Sequence, residues 1–380
     1  MLDTGTRTIF DEEHEMFRDA VRKFYAKEIV PNLERWEQAG VVEPSTMKKL
    51  GDAGFLCPTV PEAYGGLGLD FRYNAVVAEE NSYADSMVLV TLQSDVVVEY
   101  LIHYGSEEQK QTWLPRCVSG DTILAIAMTE PGAGSDLQSI RTTAVRDGDD
   151  YIISGAKTYI SAGQTCNLAV VVAKTDPSQG AKGISLFLVE SDRPGFKRGR
   201  NLDKIGQHAA DTSELFFDNV RVPASNMLGE ENRGFIYLVS QLPQERLSIA
   251  ISSQAMAQRA FDEAVRFTKE RSAFGKKVFE FQNTRFTLAD LKSRLQVGWA
   301  HLDWALGRHI KKELTADEAA AAKLFHTELL WEVCDASLQL HGGAGYMNEY
   351  LIARIWRDAR VMRIFGGSSE IMKELMSRSI

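Results

Sequence analysis

Residues Ile123–Asp136 read ILAIAMTEPGAGSD. The first six, Ile123–Met128, are an unbroken apolar run of a length that suits a buried strand. Thr129-Glu130-Pro131-Gly132 then closes the run in a Pro-Gly turn. Gly132-Ala133-Gly134-Ser135-Asp136-Leu137 starts like a GxGxxG fingerprint, but the third glycine is missing and no amphipathic helix follows. The stretch is a strand opening onto a glycine loop, not the first turn of a parallel dinucleotide-binding sheet. Because Gly132 and Gly134 carry no side chains, backbone N–H groups here can come close to a flat ring or an anionic group.

Outward from this strand, the texture stays β on its C-terminal side. Tyr151–Ser154, Leu168–Ala173, Ile184–Glu190 and Glu214–Phe217 are short, β-branched or aromatic, and bounded by turn residues. Strands so closely spaced, with no helices between them, predict a small antiparallel barrel or sandwich. Before it the spacing is helical: Phe10, Met16, Phe17, Ala20, Val21 and Phe24 keep close to a period of about 3.6. Further helices are predicted at 73–85 and 88–104, with a helix start at Ser106–Gln109. After Gly234 the pattern is helical again, with Pro243 placed as a first helical residue and Glu245 in the same turn. Helices follow at 283–311, 317–339, 351–364 and 370–377. The fold class is α+β in three parts: a helical region 1–120, a middle antiparallel β region 121–232 and a helical bundle 233–380.

Composition narrows the function. The chain of 380 residues carries a formal charge of −9, against the basic face that phosphate contacts require, so no nucleic-acid partner is expected. No run approaches the roughly 18 apolar residues of a membrane span, so no transmembrane segment is expected. The N-terminal MLDTGTRTIFDEEHEMF lacks a signal or transit pattern, which fits a cytoplasmic, bacterial-type protein. Cys57, Cys117, Cys166 and Cys334 are widely spaced and form neither a disulfide framework nor a zinc site. There is no HExxH, no P-loop ending after HGGAGYM and no GxSxG, so no metal site, nucleotide hydrolase or serine triad is read.

Five strings, in order, resemble the acyl-CoA dehydrogenase family over essentially the whole chain: TEPGAGSD at Thr129, YISAGQ at Tyr159, RSAFGKKVFEFQ at Arg271, LQLHGGAGYM at Leu338 and RDARVMRIFGGSSEI at Arg357. The resemblance implies FAD as cofactor and dehydrogenation of an acyl-CoA thioester to a trans-2-enoyl-CoA, as in fatty acid β-oxidation. It also implies an electron-transfer flavoprotein as acceptor and a homo-oligomer, a tetramer built as a dimer of dimers. Position by position, Ile126, Met128 and Thr129 resemble the segment meeting the isoalloxazine ring, and Tyr159, Ile160 and Ser161 the tripeptide on its other flank. Many members have Trp and Thr at positions 159 and 161; Tyr and Ser keep the ring and the hydroxyl. Arg271, Phe274, Phe281 and Gln282 resemble residues holding the FAD of a neighbouring subunit, although Arg271 alone would read as a solvated helix charge. Gln339 to Gly343, including Gly342, resemble the loop over the adenosine pyrophosphate. Ser368, Ser369 and Glu370 resemble the segment closing over FAD, and Ser135, Arg246 and Gly367 resemble residues near CoA and the substrate entrance.

One departure matters. Many members carry the catalytic Glu where this chain has Gly366, which has no side-chain proton acceptor. Glu245 in Leu242-Pro243-Gln244-Glu245-Arg246-Leu247 offers a replacement, as in the long-chain and isovaleryl-type branches, and LPQER with FGGSSEIMKEL is most similar to the long-chain branch. A dry site raises the pKa of this carboxylate, whereas a helix N-terminus and Arg246 oppose the rise. By the same resemblance the Gly366 N–H donates to the thioester carbonyl, a role a glycine fills as well as a glutamate. Two rival readings stay open: an acyl-CoA oxidase or flavin monooxygenase on the same scaffold, and a catalytically inactive flavin-binding assembly protein.

Overall fold

A computed structural model of the chain describes residues 5–380; residues 1–4, the start of the first region and of the N-terminal string read above, lie outside the described residues. The N-terminal part holds α1 (Glu12–Phe24), α2 (Leu33–Ala39), α3 (Ser45–Asp52), α4 (Phe71–Tyr83), α5 (Val98–Tyr104) and α6 (Glu107–Val118). Asp11 caps α1 by accepting from the His14 N–H, with Glu12, Glu13 and Glu15 in the first turn and Arg22 and Lys23 in the last. The helix predicted at 88–104 instead opens with a π-turn, Leu92–Val97, before α5. α4 is buried along nearly all its length. Its two acids are ion-paired: Glu79 with Arg7 at 2.6 Å and Arg18 at 2.7 Å, Glu80 with Arg22 at 2.8 Å.

The middle part holds β1 (Leu124–Ala127), β2 (Thr143–Asp147), β3 (Asp150–Ser161), β4 (Leu168–Lys174), β5 (Ile184–Glu190), β6 (Phe196–Asn201) and β7 (Thr212–Pro223). They form one sheet in the order β1-β4-β2-β3-β7-β6, with β5 also paired to β4. Four pairings are antiparallel, as predicted. The amendment is at β1, which runs parallel to β4 with Leu124 opposite Leu168, and at a single parallel contact of β2 with β4. β4 and β5 are buried on both faces, as their unbroken apolar runs require. Exposed β6 forms the edge, blunted by Lys197 and Arg200.

The C-terminal part holds α7 (Gly234–Glu270), a hairpin of β8 (Ser272–Ala273) and β9 (Lys276–Lys277), then α8 (Gln282–Ile310), α9 (Ala316–His341), α10 (Leu351–Ala359) and α11 (Ser369–Ser377). Here the sequence reading needs correction. Pro243 does not start α7 but lies inside it, nine residues after Gly234. Proline removes one helix hydrogen bond to the residue four before it, Val239. That residue sits on the exposed face, where water can take the freed carbonyl. Phe71, Ala75 and Ala78 of α4 pack with Leu247, Ala250 and Ile251 of α7 and Trp299 and Leu302 of α8. An ionic junction joins all three parts. Arg354 meets Asp85 at 2.5 Å, Arg357 meets Glu37, and the Gln207 N–H of the β6–β7 connection donates to Asp358 at 2.5 Å.

Candidate active site

Glu245 lies in the fourth turn of α7 rather than at a helix start, so the helix dipole gives its charge no help. It is 7% exposed. The hydroxyl of Tyr100, itself fully buried on α5, donates to its Oε1 at 2.9 Å. Among the described residues no donor reaches Oε2. Burial pushes the carboxyl up to about 7, against the Tyr100 hydrogen bond and the Arg246 charge, which both pull it down. The opposition between dryness and helix N-terminus is thereby resolved in favour of dryness, because the N-terminus is elsewhere. A second acid, Asp95, lies in the π-turn before α5 and burial pushes it up to about 7 as well. Both its oxygens are engaged, by Ser248 at 2.5 Å and Asn74 at 2.9 Å. Glu245 alone of the two keeps an oxygen open to a substrate proton.

Gly366 stands in the turn before α11 with φ +62°, followed by Gly367 with φ +96°, a region that favours glycine. A Cβ built on Gly366 would lie 2.4 Å from Ile249 Cδ1 and 3.5 Å from Lys323 Cε. Among the described residues the Gly366 N–H has no protein acceptor. Beneath the turn, Lys323 of α9 is fully buried and donates to the Gly367 carbonyl at 2.6 Å and the Met362 carbonyl at 3.2 Å. Arg246 is buried beside Glu245, and its Nε has no hydrogen-bond partner.

The two strings matched to the flavin flanks are stapled together. Buried Lys157 of β3 donates to the Met128 carbonyl and to Glu130 Oε1, both at 2.9 Å. The Thr158 N–H reaches the Thr129 carbonyl at 2.9 Å. Glu130 also accepts from the N–H groups of Arg141 and Thr142, at 2.6 and 2.9 Å. Burial pushes the Glu130 carboxyl up, yet Lys157 and these donors outweigh it and hold the group below its ordinary value. Tyr159 takes φ +58° and is 70% exposed, its ring turned away from the core that swallows Ile160. Ile126, Met128, Thr129 and Ser161 are half-buried and Ser135 is exposed.

Several other predicted contact residues are exposed. Phe274, in the β8–β9 hairpin, is 95% exposed with φ +51°. Arg271 and Gln282 are exposed and Phe281 half-buried. Gln339, Gly342 and Gly343 are exposed, and nothing lies within 4 Å of a Cβ built on either glycine. The hydroxyls predicted near the C-terminus are already engaged: Ser368 caps α11 through the Ile371 N–H, and Ser369 donates to Glu328 at 2.6 Å. In surface character these residues fit a flat, anionic cofactor. Tyr159 and Phe274 present exposed rings, and the backbone at Gly342 and Gly343 is open to an approaching group. Tyr100, Asp95, Glu130, Lys157 and Lys323 were not read as site residues from the sequence. Each is a buried polar residue whose partners lie far off in the sequence, and only the fold shows what it touches.

Comparison with known proteins gives the class. Sequence models of the acyl-CoA dehydrogenase N-terminal, middle and C-terminal domains match residues 11–121, 125–220 and 232–380. The chain belongs to the acyl-CoA dehydrogenase family, FAD-dependent oxidoreductases that desaturate acyl-CoA thioesters. It is 46% identical to the long-chain specific acyl-CoA dehydrogenase of Sus scrofa mitochondria, over 100% of this chain and 89% of that protein. A crystal structure of an acyl-CoA dehydrogenase from Geobacillus kaustophilus superposes with TM-score 0.97 at 48% identity, covering 98% of this chain and 99% of that one. A glutaryl-CoA dehydrogenase of Mycobacterium smegmatis, solved in complex with FADH2, superposes with TM-score 0.92 at 29% identity, over 98% and 95% of the two chains. Among the described residues no helix is long and apolar enough to cross a membrane, and no cluster of His, Cys, Asp or Glu is arranged to hold a metal.

Proposed function

We propose that this acyl-CoA dehydrogenase uses Glu245 as the base that removes the α-proton of the thioester, with the Gly366 N–H as a donor to the thioester carbonyl. The observation that carries the reading is the state of Glu245: buried, pushed up to about 7, and held by Tyr100 through one oxygen only. A base so placed is ionised in a useful fraction near neutral pH and strong enough to act. As the α-C–H bond breaks, the proton passes to Oε2 and the electron pair spreads towards the thioester oxygen. A donor on that oxygen stabilises the charge that develops there. Arg246 and Lys323 give the site two buried cations against one open acid, a balance that favours an anion-like transition state.

Met128, Thr129, Tyr159 and Ser161 are proposed to hold the flavin ring, with Ile126 and Ile160 placing the strands. When bound, FAD supplies the acceptor for the β-hydrogen and its electron pair. Gln339, Gly342, Gly343, Ser368, Ser369 and Glu370 are proposed for the remainder of the cofactor, the two serines through backbone. Ser135 and Gly367 are proposed near the CoA ester. Phe274, Arg271, Phe281 and Gln282 are proposed to serve the FAD of a neighbouring copy in a tetramer, which is supported by the near-complete exposure of Phe274. An electron-transfer flavoprotein as acceptor, a cytoplasmic location and the division at 120/121 and 232/233 belong to the same reading.

Anaerobic addition of straight, branched and bulky acyl-CoAs to the FAD-loaded protein tests it. Bleaching of the flavin by at least one series supports dehydrogenation, and no bleaching by any of them supports the inactive assembly protein. Rapid oxygen uptake on adding acyl-CoA would instead indicate the oxidase.

A further inference from the structure

Lys323 has no ordinary explanation as a structural residue. It is fully buried, and no carboxylate lies within salt-bridge distance among the described residues; its two partners are neutral carbonyls. An ammonium taken out of water without an anion is costly, and the strain shows in its pKa, which burial and the like charge of Arg246 lower to about 8. Glu328, one turn along α9, is engaged with Arg363 and Ser369 and offsets this only in part. A leucine or methionine would fill the same volume without the penalty.

The placement of Lys323 supplies the reason. Its ammonium grips the carbonyl of Gly367, and its Cε lies 3.5 Å from where a side chain on Gly366 would begin. Gly366 and Gly367 both hold positive φ, conformations that persist only when the surroundings fix them. Within the turn it grips, the Gly366 N–H is left without a protein acceptor. Across the turn stands Ile249, one helical turn after Glu245 on α7.

We infer that Lys323 is a positioning residue for the reaction: it pins the Gly366–Gly367 turn so that the Gly366 N–H is presented to the thioester oxygen, and it stores a positive charge next to the place where negative charge develops. The inference rests on the proposed role of Gly366. It differs from a stability role because it ties Lys323 to one ionic form of the ligand. Aligned backbone donors and nearby fixed charges act most strongly on the anionic form and little on a neutral ester.

The test uses the FAD-loaded protein and an acyl-CoA in which sulfur replaces the β-methylene. Such a ligand can lose its α-proton but has no β-hydride to give, so the enolate accumulates and is seen as a long-wavelength band against oxidised flavin. The control is the neutral trans-2-enoyl-CoA of the same length. In Lys323→Met, the thia ligand is expected to bind at least about tenfold more weakly with a diminished band, while enoyl-CoA affinity changes less than about twofold. Lys323→Gln, which keeps a donor but no charge, is expected to lie between, and it decides the matter if the Met variant does not fold or loses FAD. In wild type the band should weaken as pH rises through about 8, where Lys323 loses its proton, and this loss should vanish in both variants. Folded, FAD-loaded variants whose affinity and band match wild type for both ligands would overturn the inference. An equal loss for both ligands would overturn it too, by reducing Lys323 to a structural strut. The base assignment fails separately: a full enolate band in Glu245→Gln would remove Glu245 from its role and leave Lys323 untouched.

Discussion

Tyr100 Oη stands 2.9 Å from Glu245 Oε1, and this bond crosses from a helix of the N-terminal part to the longest helix of the C-terminal bundle. Tyrosine donates to the carboxylate, so the bond favours the ionised base and holds its pKa below what burial alone would give. Other charged or titratable groups near the site are Arg246 on the same helix, Lys323 on α9 and Asp95 in the preceding π-turn. Removing the donor should therefore raise the pKa of Glu245. In Tyr100→Phe the acid limb of the kcat/KM profile is expected to move to higher pH by roughly half to one unit, with the plateau largely retained. An unmoved limb would show that the phenol only fills space.

The Lys157–Glu130 pair offers a second handle, because it ties together the two strands proposed to flank the flavin. Lys157→Met leaves Glu130 buried without its cation, a change that costs about 3–5 kcal/mol when a buried pair is broken on one side. The variant is expected to melt lower and to lose FAD more readily on gel filtration than wild type. Adding Glu130→Gln should recover part of the stability. Unchanged melting in the single variant would count against the staple.

Moving the base to the family's other position should work poorly here. Gly366→Glu places a side chain at φ +62° and 2.4 Å from Ile249 Cδ1, the far end of a side chain that can move. In a Glu245→Gln background it is expected to restore only a small part of turnover, and more once Ile249→Ala makes room. Full recovery without the Ile249 change would mean that the turn is softer than its geometry indicates.

The three-part junction predicts a pH signature in stability. Burial and the neighbouring charges of Asp85 and Glu37 raise the Asp358 carboxyl well above its ordinary range, against Gln207 and Arg357. A carboxyl raised on folding contributes stability that is full below its unfolded pKa and fades as pH climbs through the folded value. Asp358→Asn, which keeps a neutral side chain, should therefore gain on wild type in urea midpoint as pH rises from about 4 to about 8, the interval between the unfolded and folded values. A constant difference across that range would contradict the shift.

Much of this was legible in the sequence, for reasons that differ by element. β4 and β5 were readable because strands buried on both faces must be continuously apolar, and α8 and α9 because long amphipathic helices carry their period in plain view. β6, Phe196–Asn201, was not, since an exposed edge strand of Lys, Arg and Gly has no alternation and becomes a strand only by pairing with β7. Pro243 misled because proline usually begins a helix, while here the helix continues through it. Glu245 and Gly366 could be paired from motif resemblance alone. Tyr100 and Lys323 could not, because they reach the site across 145 and 44 residues of sequence to Glu245 and Gly367.

The central claim is that Glu245 takes the α-proton, and stopped-flow reduction of bound flavin in Glu245→Gln tests it most directly. The amide keeps the size of the side chain and can still meet Tyr100, so FAD and acyl-CoA should bind as before. Flavin reduction by a good acyl-CoA substrate, followed anaerobically, is then expected to slow by at least about a thousandfold. Reduction at the wild-type rate would contradict the account and place the base elsewhere.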